Sequence, residues 1–332
     1  MGTATPGRAG PTTLSVICGP TAAGKSALAM RLAERVGAAI LSADSRQLYR
    51  GFDLGTAKPA PTERARVPHF GVDVAEPTER WSAARWADAC DGWLDETGAL
   101  GRVPLLVGGT GFYLRALAEP LFQEPPLDEE RRGRLARWLE TMPLPELRRW
   151  AESVDPARAH LQRTQLARAI EVALLTGRRL SAWHADAARP LRHVLRYLLV
   201  DPGPVLAERI AGRVDAMLDA GWVAEVAGLT ERVPGDAIAW KASGYDALRR
   251  HLRGELSLAE ARELVVIETR QYAKRQRTWF RHQLPASAVQ RVNPDDPDAD
   301  AIALDWWHGA GDAAAPLAAP ASDRPPTPEE RA

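Results

Sequence analysis

At 332 residues the chain is long enough to bury a full core, as one large domain or two smaller ones. Lysine plus arginine equals aspartate plus glutamate at 43 each, so net charge alone supplies no pull on a polyanion. The only two cysteines, Cys18 and Cys90, fall in a strand-like and a helix-like stretch, which excludes a disulfide framework and fits a reducing cytosol.

Residues 1–13 are rich in Gly, Pro and Thr, lack the apolar stretch of a signal peptide, and are expected to be disordered. The apolar run Leu14 to Cys18 predicts a buried strand, and Ala27 to Val36 predicts a helix with Leu28, Leu32 and Val36 on one face. Between them stand Gly19, Pro20, Thr21, Ala22, Ala23, Gly24, Lys25 and Ser26, a complete G-x-x-x-x-G-K-[ST] phosphate loop in the required strand-to-helix setting. Backbone N–H groups wrap a polyphosphate there, and the helix N-terminus adds partial positive charge. Lys25 adds a full charge, and Ser26 is placed to hold Mg²⁺. A tight turn that bound nothing would need neither Lys25 nor Ser26.

A second strand over 38–43 delivers Asp44 to its carboxyl end, where open α/β sheets place their ligands. Asp44 is a candidate to position Mg²⁺, a candidate general base, or a helix N-cap. A third strand, Val103 to Val107, opens into Gly108, Gly109, Thr110 and Gly111, whose small residues suit the opposite wall of a site. Residues 119–190 hold no convincing strand and carry Arg, Leu and Trp at helical spacing, which predicts a helical insertion. The sheet pattern resumes at 194–200 and ends in Asp201, a rival Mg²⁺ ligand or, before Pro202, Gly203 and Pro204, a turn former. Arg209 and Arg213 follow at helical spacing, positioned either to reach a diphosphate or to pair with acids.

Over 262–281, Arg270, Lys274, Arg277 and Arg281 recur on one helical face, with Val265, Tyr272 and Trp279 roughly opposite. Such a face either meets phosphates or is merely solvated. From Pro285 onward nine acidic residues stand against three arginines, which gives −6 there and leaves +6 on residues 1–284. This Ala-, Pro- and Asp-rich stretch is expected to be an acidic, mostly disordered tail, with the disorder lying beyond Trp307. No run approaches the ~18 apolar residues of a membrane span. The seven histidines lack zinc spacing, and no Gly-x-Ser-x-Gly element supports a hydrolase triad. The expected fold is α/β: a P-loop NTPase-like parallel sheet core (14–118 plus 191–284) with an all-helical insertion domain (119–190).

Taken together, these pieces resemble the bacterial tRNA dimethylallyltransferases, also called tRNA isopentenyltransferases. The resemblance rests on the phosphate loop, on Asp44-Ser45-Arg46-Gln47-Leu48-Tyr49, on Gly55-Thr56-Ala57-Lys58-Pro59 and on Leu106-Val107-Gly108-Gly109-Thr110-Gly111. Further on it rests on Arg168-Ala169-Ile170-Glu171-Val172, on Gly244-Tyr245 and on Thr269-Arg270-Gln271-Tyr272-Ala273-Lys274-Arg275-Gln276. It implies a cytoplasmic, monomeric enzyme that uses Mg²⁺. Such an enzyme transfers a dimethylallyl group from dimethylallyl diphosphate to N6 of the adenosine just 3′ of the anticodon, in tRNAs reading codons that begin with U. Thr21 would hydrogen-bond the bridging oxygen, Arg213 would contact the diphosphate, and Asp44 would accept the N6 proton. Contact with the tRNA anticodon stem-loop would fall to Asp44, Ser45, Arg46, Gln47, Arg132, Thr164, Gln165, Arg168, Lys241, Gly244, Tyr245, Lys274, Arg275, Gln276, Arg277, Trp279 and Arg281. The sequence departs from the family pattern at Leu161-Gln162-Arg163-Thr164-Gln165, where an Asn-Asp-Arg is usual, and at Ser243. Two other readings compete: a P-loop small-molecule kinase or free-nucleotide isopentenyltransferase, and a nucleotide-regulated RNA-binding protein.

Overall fold

The computed structural model describes residues 12–119, 127–186 and 192–309. The chain divides into two compact units, residues 1–118 with 191–332, and residues 119–190.

The larger unit is built on six parallel strands: β1 (Thr12–Cys18), β2 (Ala38–Ser42), β3 (His69–Phe70), β4 (Val103–Gly108), β5 (His193–Val200) and β6 (Val289–Val292). Their order across the sheet is β3-β2-β4-β1-β5-β6. The apolar runs in the sequence become the central strands because a parallel sheet covered on both faces buries every position. Val16, Ile17 and Cys18 of β1 are accordingly fully buried. β1 pairs with β4 through Ile17 and Val107, and with β5 through Ile17 and Leu198, so the carboxyl ends of three strands lie side by side.

In the larger unit the helices before the insertion are α1 (Lys25–Val36), α2 (Pro61–Arg66), α3 (Ala83–Ala99) and α4 (Gly111–Ala118). Next in the chain, α5 (Glu129–Thr141), α6 (Leu144–Val154), α7 (Arg163–Thr176) and α8 (Leu180–Asp186) form the smaller unit. The larger unit then resumes with α9 (Leu206–Asp219), α10 (Trp222–Thr230), α11 (Tyr245–Leu252), α12 (Leu258–Gln283) and α13 (Ala299–His308). The smaller unit has its own core of Leu139, Met142, Leu147, Ala151, Leu166 and Ile170. Its buried Asp155 accepts from the N–H and hydroxyl of Ser181 at 2.9 and 2.6 Å, fixing the start of α8.

The acidic stretch from Pro285 is not a disordered tail throughout. Residues 289–292 form edge strand β6 against β5, and α13 packs Ala299, Ala303 and Trp306 onto the same core as α1. Buried Arg196 of β5 donates to the Trp306 carbonyl at 2.6 Å and lies 4.8 Å from the centroid of the Trp306 ring. The charges that suggested solvation lie at the surface of this packing, where Asp300 pairs with Arg31 at 2.8 Å. At the other end, β1 begins at Thr12, inside the stretch expected to be disordered, while 1–11 and 310–332 lie outside the described residues. Among the described residues no helix is long and apolar enough to cross a membrane.

Candidate active site

The phosphate loop leaves β1 at Gly19 with φ +148°, where a Cβ would sit 2.2 Å from the Val200 carbonyl oxygen, so only glycine permits this approach. α1 starts at Lys25 with Gly24 as its left-handed N-cap. Its first N–H groups therefore have no capping side chain, the condition a bound anion satisfies. Lys25 Nζ folds back onto the Pro20 carbonyl at 2.6 Å. Burial, with help from the Arg213 charge and against Asp44, lowers the Lys25 pKa to about 8. Burial likewise lowers the Arg213 pKa, with Asp44 opposing. Two desolvated cations thus face one carboxylate, an excess that favours an incoming anion.

Asp44 does not begin a helix. Its Oδ1 accepts from the Arg46 N–H at 2.8 Å, closing a turn rather than capping α-structure. Across from it, Thr110 donates its N–H to the Ala43 carbonyl at 3.1 Å and accepts from the Ser45 N–H at 3.0 Å. The glycine-threonine wall and the Asp44 turn are therefore one hydrogen-bonded unit.

A cavity of about 440 Å³ opens between these parts. Its lining includes the polar side chains of Thr21, Lys25, Ser26, Asp44 and Arg213 and the apolar ones of Ala29, Met30, Ile40, Val214, Met217 and Trp222. Arg46 and Lys241 also border it. Among the described residues no group of three or more His, Cys, Asp or Glu side chains gathers to hold a metal. A hard cation here would rest on the Ser26 hydroxyl, which borders the cavity, and on oxygens of a ligand or water, which is how Mg²⁺ is commonly held beside phosphates.

Several residues expected to meet RNA are engaged inside the protein. The Gln276 side chain is 7% exposed. Its Oε1 accepts from the Thr21 N–H at 2.8 Å, and its Nε2 donates to the Gly109 carbonyl at 2.8 Å. It bridges the phosphate loop to the opposite wall. The Gln47 amide accepts from Ser42 Oγ at 2.8 Å and donates to the Ala57 carbonyl at 2.9 Å, bracing the 55–59 loop. Tyr245 is 0% exposed and donates to Glu225 Oε1 at 2.7 Å, within an aromatic cluster with Phe52, Trp222 and Trp240. Gly244 is buried at φ +87°, where a Cβ would lie 2.3 Å from Trp222.

On α12 the buried stripe runs through Val265, Ala273, Gln276 and Phe280, turned from the one anticipated. Trp279 is half-buried against Gly111. Arg277 is taken by Asp201, with Nε–Oδ2 at 3.1 Å, and by the Gly203 carbonyl at 2.6 Å. Asp201 also accepts from the Gly203 N–H at 2.9 Å, so it forms the turn and is no rival for a metal. Lys274, Arg275 and Arg281 remain exposed. In the smaller unit, Arg132 and Arg168 both pair with Glu171, at 2.6 and 2.8 Å, while Thr164 and Gln165 are exposed. Glu225 carries no signal in the sequence pattern. Its Oε2 accepts from the Leu54 N–H at 2.7 Å and helps hold the loop that carries Gly55 to Pro59.

Residues 47–283 match the family model described as IPP transferase, and residues 12–67 match a second one described as isopentenyl transferase. The chain belongs to the IPP transferase family. Among similar IPP transferases, the tRNA dimethylallyltransferase of Rhodopseudomonas palustris is 42% identical over 292 residues, covering 86% of this chain and 90% of that one. That of Geobacter metallireducens is 43% identical over 278 residues, covering 81% and 90%. The tRNA isopentenylpyrophosphate transferase structure from Bacillus halodurans superposes with a TM-score of 0.64 at 32% identity, covering 90% of this chain and 96% of that one. A eukaryotic dimethylallyltransferase structure has a TM-score of 0.73 at 24% identity, with 86% and 74% covered, a likeness of fold.

Proposed function

We propose that the chain is a tRNA prenyltransferase. It transfers a dimethylallyl group from dimethylallyl diphosphate to N6 of the adenosine just 3′ of the anticodon, in tRNAs reading codons that begin with U. It acts as a monomer in the cytoplasm. The observation that carries this reading is the mixed lining of the cavity, which combines the cations Lys25 and Arg213 with the apolar side chains Met30, Ile40, Met217 and Trp222. A diphosphate bearing a short branched hydrocarbon matches both kinds of lining. A kinase acceptor leaves the apolar lining unexplained.

The chemistry follows from charge. The phosphate-loop amides, Lys25 and Arg213 stabilise the negative charge that grows on the diphosphate as its C–O bond breaks. Thr21 hydrogen-bonds the bridging oxygen. The Ser26 hydroxyl would help hold a Mg²⁺ ion, which would supply further neutralisation of the diphosphate. Asp44, fixed by the Arg46 N–H, accepts the proton that N6 loses as it forms the new C–N bond. The target base must leave its stack to reach this depth, and Ser45 and Arg46 border its path. Exposed Lys274, Arg275 and Arg281 supply phosphate contacts, with Trp279, Lys241, Thr164 and Gln165 as further contacts.

The test incubates the protein with Mg²⁺, labelled dimethylallyl diphosphate and either tRNA or AMP. Label in tRNA alone is expected. Label in AMP but not in tRNA would overturn the reading, as would ATP hydrolysis without prenyl transfer.

A further inference from the structure

Arg209 stands one turn before Arg213 on α9, so the two guanidinium groups project from the same face of the helix. Arg213 lines the cavity beside Lys25. Arg209 instead lies over the outer end of the phosphate loop: a Cβ added to Gly24 would meet its Nη1 at 3.3 Å. Gly24 is the N-cap of α1, the residue next to the amides that cradle the anion.

What holds Arg209 there is Asp295, in the turn that follows β6, with which it forms an ion pair. Pro294 of that turn touches the same loop, 3.4 Å from the position of a Gly24 Cβ. A segment whose composition suggested a tail therefore places a carboxylate at the rim of the phosphate site. The pair is partly exposed, at 31% and 47% for its two side chains, and such pairs are held weakly. A multiply charged diphosphate offers a guanidinium a stronger, forked partner than one solvated carboxylate does.

We infer that Arg209 is a second arginine for the leaving diphosphate, stationed beside the loop by Asp295 and handed from that carboxylate to the ligand on binding. The inference rests on reading the loop as a diphosphate site. With the ligand bound, Lys25 and Arg213 neutralise it from within the cavity and Arg209 from the solvent side. Asp295 then competes with the diphosphate for Arg209, so the pair weakens ligand binding while keeping the cation in place.

The test is calorimetric titration of inorganic diphosphate with Mg²⁺ into the full-length wild type, Arg209→Gln, Arg209→Lys and Asp295→Asn. Arg209→Gln should weaken diphosphate binding about tenfold and Arg209→Lys less. Asp295→Asn should leave it unchanged or tighten it about threefold. Both Arg209→Gln and Asp295→Asn break the same ion pair, so a purely structural pair would move both affinities the same way. Parallel weakening in the two variants, or no change in Arg209→Gln, would overturn the inference. Diphosphate binding with this pattern but no prenyl transfer to tRNA would leave the inference standing and remove the proposed acceptor instead.

Discussion

Thr21 and Gln276 are 255 residues apart and share a hydrogen bond of 2.8 Å from backbone N–H to side-chain Oε1. The same amide donates to the Gly109 carbonyl, so one side chain of α12 fixes the distance between the phosphate loop and the glycine-threonine wall. Gln276→Ala leaves the part-buried Thr21 N–H and the buried Gly109 carbonyl without this partner, at a cost of about 1–3 kcal/mol in denaturant unfolding. Turnover should fall by about tenfold, since Thr21 loses its fixed position. Gln276→Glu keeps the acceptor but not the donor and should recover only part of the stability. Equal stability in all three proteins would refute this bridging role.

Asp44→Asn keeps the turn, because an amide oxygen can still accept from the Arg46 N–H, but it removes the proton acceptor. Turnover with saturating tRNA and dimethylallyl diphosphate should drop by about 10²-fold or more while tRNA affinity holds. Weakened tRNA binding with unchanged saturated turnover would count against Asp44 as the base.

Lys25 binds anions only while protonated, and burial has brought its pKa down to about 8. The affinity of the free protein for inorganic diphosphate should be level below that pH and decline above it, as charge is lost. An ordinary exposed lysine would hold its charge to about pH 10. Diphosphate titrations at about pH 7 and pH 9 distinguish the two, and equal affinities corrected for diphosphate ionisation would rule out a depressed pKa.

The cations of α12 divide into those open to solvent and those already paired. Replacing Lys274 and Arg275 by glutamine should weaken tRNA binding and reduce the slope of log affinity against log salt by about one for each phosphate no longer neutralised. Arg277→Gln should instead destabilise the fold, because it releases Asp201 and the Gly203 carbonyl. A salt slope that responds to Arg277 but not to Lys274 and Arg275 would reverse this assignment.

Tyr245→Phe tests whether a family motif residue touches RNA. Its hydroxyl is buried and donates to Glu225, so its loss should lower stability by about 1–2 kcal/mol. The tRNA dissociation constant should not change. A tenfold rise in that constant at unchanged stability would place Tyr245 at the RNA surface after all.

The central strands were legible from sequence because apolar residues dominate each of them, broken within β1 by Ser15 and within β5 by Arg196, as a doubly covered parallel sheet requires. The phosphate loop and Asp44 were legible because their chemistry is local, set within a few residues of a strand end. β6 was not: only Val292 of its four residues is buried, and it sits among aspartates that read as solvated. β3, two residues long, carries no pattern at all. The internal uses of Gln47, Gln276 and Glu225 were equally hidden. Each depends on a partner brought close by the tertiary fold, and a polar side chain offers no periodic signal of where it will point.

The strand order has a consequence for how the chain is made. β1 leaves the ribosome first, yet one of its two neighbours, β5, ends at Val200, after the whole smaller unit has been synthesised. The sheet gains its edge at Val292, and α13 reaches the core only with residues 299–308. The smaller unit has its local core within 119–190 and needs no such wait. The first strand built thus waits for its second neighbour until the smaller unit has been made, and its apolar surface must be shielded until then.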